Sequence, residues 1–144
     1  MATQRTHILR DPGIAKLEQI EAGLQQNGLP PLLRHLVKLR VSQINGCAFC
    51  VGMHTREARE DGETEDRLDR LVVWQHVRNF SPAERAALAW AEALTTRGEG
   101  ADLGKLHNAL EEHFSHDDIG ALTMVVVMIN SWNRLQIASH HPFF

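Results

Sequence analysis

The chain lacks the features that mark disulfide-stapled, nucleic-acid-binding and membrane proteins. It has only two cysteines in 144 residues, and a domain of that length buries enough surface to fold without disulfides. Its formal net charge is −3 and its basic residues are scattered among acids, so it lacks the basic patch that nucleic acids favour. The longest near-continuous apolar stretch, from Ala121 to Ile129, is far shorter than the ~20 residues of a membrane span. We therefore expect no nucleic-acid partner and no membrane insertion.

The composition and the first residues predict a cytoplasmic protein with one domain. Residues 1–7 are polar and lack the apolar segment of a secretory signal. The content of 43% hydrophobic and 23% charged residues is ordinary for a globular domain, and no linker or low-complexity tract divides the chain. We expect a single domain over residues 1–144. In a reducing compartment, a lone pair of nearby cysteines is more often catalytic or metal-binding than a permanent crosslink.

Helix start and stop signals recur along the chain. The clearest is a capping box in which Ser81 is the N-cap, Pro82 occupies N1 and Glu84 occupies N3. The predicted helices run from Pro12 towards Gly28, from Pro31 to Ile44, from Gly46 to Asp61, from Thr64 to Val72, from Ser81 towards Gly98, from Leu103 to Phe114 and from Ser115 to about Ser139. We interpret His140 and His141 as tail. The pattern predicts an all-α, single-domain bundle of six to seven helices.

The distribution of side chains on these helices predicts which of them are buried. The last helix is apolar almost all round and includes the run Val125–Val127, which predicts full burial, either in the core or between subunits. Lys38 and Arg40 fall on the face of the second helix opposite its apolar stripe. Glu92 and the alternating charges of residues 65–70 are expected on solvated helix faces.

Both cysteines lie in one short segment together with a histidine. On a helix, Cys47, Cys50 and His54 occupy positions i, i+3 and i+7, so the three side chains project from one face. Asn45 and Gly46 just before them form a turn or helix-start signal. Thiols in a first helical turn meet unpaired amides and the helix dipole, which favour the reactive thiolate.

Three interpretations of this segment are open on residue chemistry alone. The cysteines could be small core residues, since buried free cysteine is common. They could bind zinc with His54, and His35 would then supply the fourth ligand that a structural site requires. They could form a redox dithiol in which one thiolate attacks an oxidant and the other forms the disulfide, with His54 as base or proton shuttle. The coincidence of the cysteine pair with a helix start and a same-face histidine favours the redox interpretation.

The segment Ser42–His54 resembles the core motif of the carboxymuconolactone decarboxylase superfamily, and more closely its alkylhydroperoxidase (AhpD-like) branch. Three other stretches resemble helices of small single-domain members: 36–41, 81–88 and 129–134. The resemblance covers about residues 13–138. It implies an all-helical fold that associates as homo-trimers, or as hexamers built from them.

The resemblance also implies an activity, the thiol-dependent reduction of organic hydroperoxides. By this likeness Cys50 is the peroxidatic thiolate, Cys47 resolves it, and His54 belongs to a proton relay. The implied electron donor is a dihydrolipoyl-type dithiol partner, and no haem, flavin or metal cofactor is implied.

The sequence departs from the family motif at two positions. His35 stands where the motif usually carries a glutamate at the far end of the proton relay, and an imidazole is a different relay element from a carboxylate. Phe49 stands where some peroxidases place a histidine between the cysteines, and its apolar ring offers no proton. Glu92 is the other carboxylate that we consider for the relay.

Two hypotheses from other classes accompany the peroxidase prediction. One is a cofactor-free lyase that decarboxylates an aromatic-derived lactone, although that branch generally does not depend on a cysteine pair. The other is a non-catalytic metal-binding or redox-sensing oligomer that uses Cys47, Cys50, His54 and His35.

Overall fold

Seven α-helices build the described part of the chain. The computed structural model describes residues 4–97 and 100–139, and within these ranges it contains no strand. The helices are α1 (Gly13–Leu24), α2 (Pro31–Asn45), α3 (Ala48–Glu60), α4 (Glu65–Arg70), α5 (Pro82–Thr95), α6 (Leu103–Glu111) and α7 (His116–Ser139), and two 3₁₀ segments cover Thr6–Arg10 and Leu71–His76. The predicted all-α bundle is confirmed.

The predicted helix starts agree with the observed caps. The Ser81 hydroxyl accepts the N–H of Glu84 at 3.1 Å, and the Glu84 carboxylate accepts the N–H of Ser81 at 2.8 Å, so the capping box is complete. Thr64 caps α4 in the same way. Three predicted ends are wrong, because α1 ends at Leu24, α6 ends at Glu111 and the chain after α4 tightens into the 3₁₀ segment Leu71–His76. The predictions at Gly98, His140 and His141 lie outside the described residues.

Helix α2 is the centre of the bundle, because it is buried on two sides. Its Leu33, Val37 and Val41 pack into a cluster with apolar residues of α5, α6 and α7. Its Leu36 and Leu39 pack into a second cluster with side chains of α3, α4, α5 and the 3₁₀ segment Leu71–His76. The end of α2, from which the cysteine segment departs, is therefore held by packing on both sides.

Helix α7 is long and apolar but is not buried all round within the chain. Its inward face includes Leu122, Val125 and Ile129, each at most 1% exposed. Met124 and Val127 are 41% and 48% exposed, so the core of this chain does not bury them, and their burial between subunits stays a prediction. The reason is geometric, since the neighbouring helices cover one side of α7 and leave the other uncovered. Within residues 4–97 and 100–139, no helix combines the length and the hydropathy that crossing a membrane requires.

Ion pairs between helices bury side chains that the pattern places in solvent. The Lys38 ammonium lies 2.6 Å from the Glu21 carboxylate of α1, and the Lys38 residue is only 6% exposed. Arg40 donates to Glu92 of α5 at 2.7 Å, and the Trp74 indole donates to the same carboxylate at 2.8 Å. Glu92 is therefore a structural tie between α2 and α5, and its predicted place on a solvated face is wrong.

A second network joins α4 to the start of α5. Arg67 donates to Glu63 at 2.8 Å and also to both carboxylate oxygens of Glu84, the N3 residue of the capping box. Hydrogen bonds to Glu84, and then to Glu63, raise the pKa of Arg67 against the opposing effect of burial. Burial raises the pKa of Glu84, but hydrogen bonds from Arg67 and Ser81 lower it below its ordinary 4.5. Arg67 is thus a half-buried tie between α4 and α5 rather than part of a solvated face.

Candidate active site

The cysteine segment begins where α2 stops at a left-handed glycine. Gly46 has φ 71° and ψ 31°, and its N–H bonds back to carbonyls of the last turn of α2. The Cys47 N–H then donates to the Ser42 carbonyl at 3.1 Å, which closes the turn. Gly46 therefore ends α2, rather than starting the next helix as predicted, and Cys47 is the N-cap of α3.

Cys47 and Cys50 are joined in a disulfide across the first turn of α3. Their Cα atoms lie 5.3 Å apart, and the residues are 2% and 1% exposed. The Cys50 N–H donates to the Cys47 sulfur at 3.3 Å, so a helix N-terminal amide points at that sulfur. In the reduced protein this amide and the helix dipole favour a thiolate on Cys47. The pair can therefore exist as a disulfide and has an environment suited to thiolate chemistry.

His54 lies one helical turn after Cys50 on the same helix and is buried. Its Nδ1 lies 3.0 Å from Oε2 of Glu57. The hydrogen bond from His54, opposed by burial and reinforced by the charges of His54, Lys38 and His35, lowers the pKa of Glu57 below its ordinary 4.5. An ionised carboxylate only accepts hydrogen bonds, so we assign the ring proton to Nδ1. The Nε2 atom of a neutral His54 is then a proton acceptor.

His35 reaches the same group of side chains from α2. Its Nε2 lies 2.6 Å from Asp61 Oδ2, and its buried Nδ1, which has no hydrogen-bond partner, lies 3.9 Å from Glu57 Oε2. The structure thus brings His35 and His54 close to the same oxygen of the Glu57 carboxylate. Glu92, the other carboxylate considered for the relay, is instead bound to Arg40 and Trp74.

Glu57 and Asp61 are the acidic residues that the sequence analysis missed. Together with Cys47, Cys50 and His54 they follow alternating spacings of three and four residues, which is one face of a helix. Extending the face of the cysteines by two turns would have found both carboxylates. Their proximity to His35 could not be found in this way, because His35 belongs to α2.

The metal-binding alternative finds no support in the described residues. Among them, no three or more histidine, cysteine, aspartate or glutamate side chains converge in a way that could hold a metal ion. The two sulfurs are bonded to each other, and His35, the proposed fourth ligand, is paired with Asp61. The ligand set Cys47, Cys50, His54 and His35 is therefore not assembled.

A buried amide cluster fixes the end of α2 immediately before the cysteines. The Asn45 amide donates to Asn130 at 2.9 Å and to Asn133 at 3.0 Å, both on α7. Asn133 is fully buried and donates to the Ser42 hydroxyl at 3.0 Å. Because Ser42 also accepts the Cys47 N–H through its carbonyl, this cluster connects α7 to the cysteine turn.

Comparison with known proteins gives consistent results. The model of the Carboxymuconolactone decarboxylase family matches residues 15–93. The uncharacterized protein YdfG of Bacillus subtilis (strain 168) is 38% identical over 126 residues, which cover 88% of this chain and 86% of YdfG. The uncharacterized protein YnjA of Escherichia coli (strain K12) is 30% identical over 118 residues, covering 82% of this chain but 64% of the longer relative.

A solved structure extends the likeness to the fold. The crystal structure of ATU0492 from Agrobacterium tumefaciens, a protein of unknown function proposed as the antioxidant defence protein AhpD, superposes with a TM-score of 0.91. The two are 34% identical, and the match covers 99% of each chain. The family model and these relatives cover the cysteine pair and the helices around it. The chain belongs to the carboxymuconolactone decarboxylase family and has an AhpD-like fold.

Proposed function

We propose that the protein is a thiol-dependent peroxidase of the alkylhydroperoxidase type, which reduces organic hydroperoxides through the Cys47–Cys50 pair. The observation that carries the proposal is the disulfide in the first turn of α3, one turn before a buried histidine whose Nδ1 is held by a carboxylate. A dithiol at a helix start with an adjacent proton acceptor is the combination that thiol redox chemistry requires.

The oxidising half of the cycle uses the two cysteines in different roles. His54 Nε2 accepts the proton of the Cys50 thiol, and the thiolate attacks the terminal oxygen of the hydroperoxide. The O–O bond breaks, the alkoxide takes up the proton held by His54 and leaves as an alcohol, and Cys50 becomes a sulfenic acid. The Cys47 thiolate, favoured by the Cys50 N–H, then attacks the Cys50 sulfur. The S–O bond breaks, the disulfide forms, and the hydroxide leaves as water with the proton that the Cys47 thiol released.

The reducing half needs a second dithiol. Its thiolate attacks the Cys47–Cys50 disulfide, and its second thiol completes the exchange, so that the partner becomes a disulfide and this protein regains both thiols. We propose a dihydrolipoyl-type protein as this partner and a homo-oligomer, a trimer or hexamer, as the working assembly. The family membership and the likeness to ATU0492, itself proposed for antioxidant defence, support the proposed peroxidase function.

Turnover of single-cysteine variants tests the proposal. Consumption of cumene hydroperoxide with dihydrolipoamide as electron donor should be lost in Cys50→Ser. Cys47→Ser should form one sulfenic acid per chain, detectable by dimedone labelling and mass, without further turnover, because no second thiol resolves it. Full turnover by Cys50→Ser would refute the assignment.

A matched control separates loss of a thiol from a general effect of the substitution. Ala48 is exposed and lies between the cysteines, so Ala48→Ser introduces the same hydroxyl into the same turn and should retain turnover. The lyase alternative makes the opposite prediction for the cysteines, because a variant with both cysteines changed to alanine would then keep its activity on a lactone.

A further inference from the structure

Two carboxylates, one in α3 and one at its C-cap, flank the imidazole that occupies the glutamate position of the motif. Asp61 Oδ2 lies 2.6 Å from His35 Nε2, and Glu57 Oε2 lies 3.9 Å from His35 Nδ1. The same Glu57 oxygen lies 3.0 Å from Nδ1 of His54. Glu57 Oε2 therefore lies near both histidines, within hydrogen-bond distance of His54 and farther from His35.

We propose that Glu57 is the positioning carboxylate of the peroxidase site, holding the His54 proton at Nδ1 so that Nε2 accepts the proton of the Cys50 thiol. The inference rests on the proposed function and names a residue of the same site. In this step the S–H bond of Cys50 breaks, an N–H bond forms at Nε2, and the ionised Glu57 stabilises the resulting imidazolium. Beyond Glu57, His35 Nδ1 lies 3.9 Å from the same carboxylate oxygen, and His35 Nε2 is paired with Asp61.

The charges around Glu57 favour its ionised form. The groups that face it are His54 on its own helix and His35 and Lys38 on α2, and Lys38 is itself paired with Glu21 of α1. Further charged residues line the same pocket: Arg34, Glu60 and Asp61. The hydrogen bond from His54 outweighs burial and lowers the pKa of Glu57, so the carboxylate stays an acceptor at neutral pH.

The arrangement also connects a buried site to water. The side chain of His54 is 6% exposed, that of Glu57 is 40% exposed and that of Asp61 is 53% exposed. His35, Glu57 and Asp61 line an open pocket of about 250 Å³. Water in this pocket can therefore exchange protons with Glu57, which is in direct contact with the buried His54.

The reactivity of Cys50 against pH tests the proposal. In a Cys47→Ser background only Cys50 can be alkylated by iodoacetamide, because the chain has two cysteines. Adding Glu57→Gln should move the midpoint of the alkylation profile up by about 1 pH unit, towards the ~8.5 of a free thiol, and slow alkylation about tenfold at neutral pH. The amide introduced can donate to Nδ1, which places the ring proton on Nε2 and blocks acceptance from the thiol. Above the free-thiol pKa the deficit should disappear, which a general loss of structure would not produce.

The matched control is Glu60→Gln, also in the Cys47→Ser background. Glu60 lines the same pocket on the same helix, so this variant removes the same charge from the same region. Its alkylation profile should match that of the parent. Equal midpoints for Glu57→Gln and its parent, or equal shifts for both glutamine variants, would overturn the proposal.

The tautomer of His54 gives an independent measurement that does not depend on activity. The ¹⁵N shifts of the oxidised wild-type protein should place the proton of neutral His54 on Nδ1, and Glu57→Gln should move it to Nε2. A proton on Nε2 in the wild type would overturn the proposal even if Cys50→Ser abolishes peroxide reduction. Conversely, if His54 carries its proton on Nδ1 but Cys50→Ser keeps full turnover, the peroxidase function is refuted and the contact between His54 and Glu57 stands.

Discussion

Replacing Gly46 by alanine tests whether the turn before the cysteines depends on the left-handed backbone conformation of Gly46. Gly46 has φ +71°, and a Cβ added there meets no heavy atom within 4 Å, so the cost of a side chain is conformational and not steric. Placing an L side chain in this region costs about 1–2 kcal/mol. Alanine also lowers the entropy of the unfolded chain, which offsets about 0.4–1 kcal/mol. We expect Gly46→Ala to lower the free energy of unfolding by about 1 kcal/mol.

Gly120 provides a control of opposite sign. It lies inside α7, and an added Cβ likewise meets no heavy atom within 4 Å. Because its backbone is helical, alanine there has only the benefit of a less flexible unfolded chain and a better helix propensity. Gly120→Ala should therefore raise the free energy of unfolding by about 0.5–1 kcal/mol.

Urea unfolding of the oxidised proteins, followed by circular dichroism at one protein concentration, measures both variants. The two midpoints should move in opposite directions with unchanged m-values. Gly46→Asn should lose less stability than Gly46→Ala, because asparagine tolerates the left-handed region better. A destabilisation by Gly46→Asn equal to that by Gly46→Ala, or a Gly46→Ala protein as stable as wild type, would refute the conformational argument.

Three further predictions concern the supports of the fold. Arg67→Met should lower the free energy of unfolding by about 3 kcal/mol, because it leaves the buried Glu63 without its ion-pair partner. Arg70→Met, which removes an exposed ion pair with Asp66, should lower it by less than about 1 kcal/mol. Urea unfolding measures both changes. In the folded protein the pKa of Glu84 lies below its ordinary 4.5, so the unfolded chain binds more protons at acid pH and stability is lost as pH falls through the folded pKa. Glu84→Gln removes this titrating group and should make the free energy of unfolding depend less steeply on pH in the acid range. Unfolding midpoints below neutral pH measure this slope. Asn133→Ala should cost about 1–2 kcal/mol in thermal unfolding, because it removes buried hydrogen bonds to the end of α2.

The helices could be predicted because their signals are local. The capping box of Ser81 and Glu84 and the cap at Thr64 involve residues three apart, and both form as the spacing indicates. The cysteine pair with His54 one turn later is local in the same sense. The start of α3 was misassigned because Gly46 suits both a helix start and a helix stop, and only its backbone φ of 71° distinguishes the two.

The burial of charged side chains could not be predicted because it depends on neighbouring helices. Lys38 and Arg40 lie opposite the apolar stripe of α2, where a single-helix pattern predicts solvent. In the fold, that side of α2 also meets other helices, which supply Glu21 and Glu92 as partners. A charge that finds a partner can be buried, and the periodicity of one helix contains no information on the partner.

The sequence alone determined the chemistry of the site: two thiols and a histidine on one helical face, at a helix start that favours thiolate. The tertiary structure decided what surrounds them. The packing of α2 against α3 places His35 beside Glu57 and Asp61, so that the carboxylates come from the helix of the cysteines and not from the position at which the motif carries glutamate. The reason is physical, since covalent spacing along one helix sets which side chains share a face, whereas contacts between helices depend on how the whole bundle buries its apolar surface.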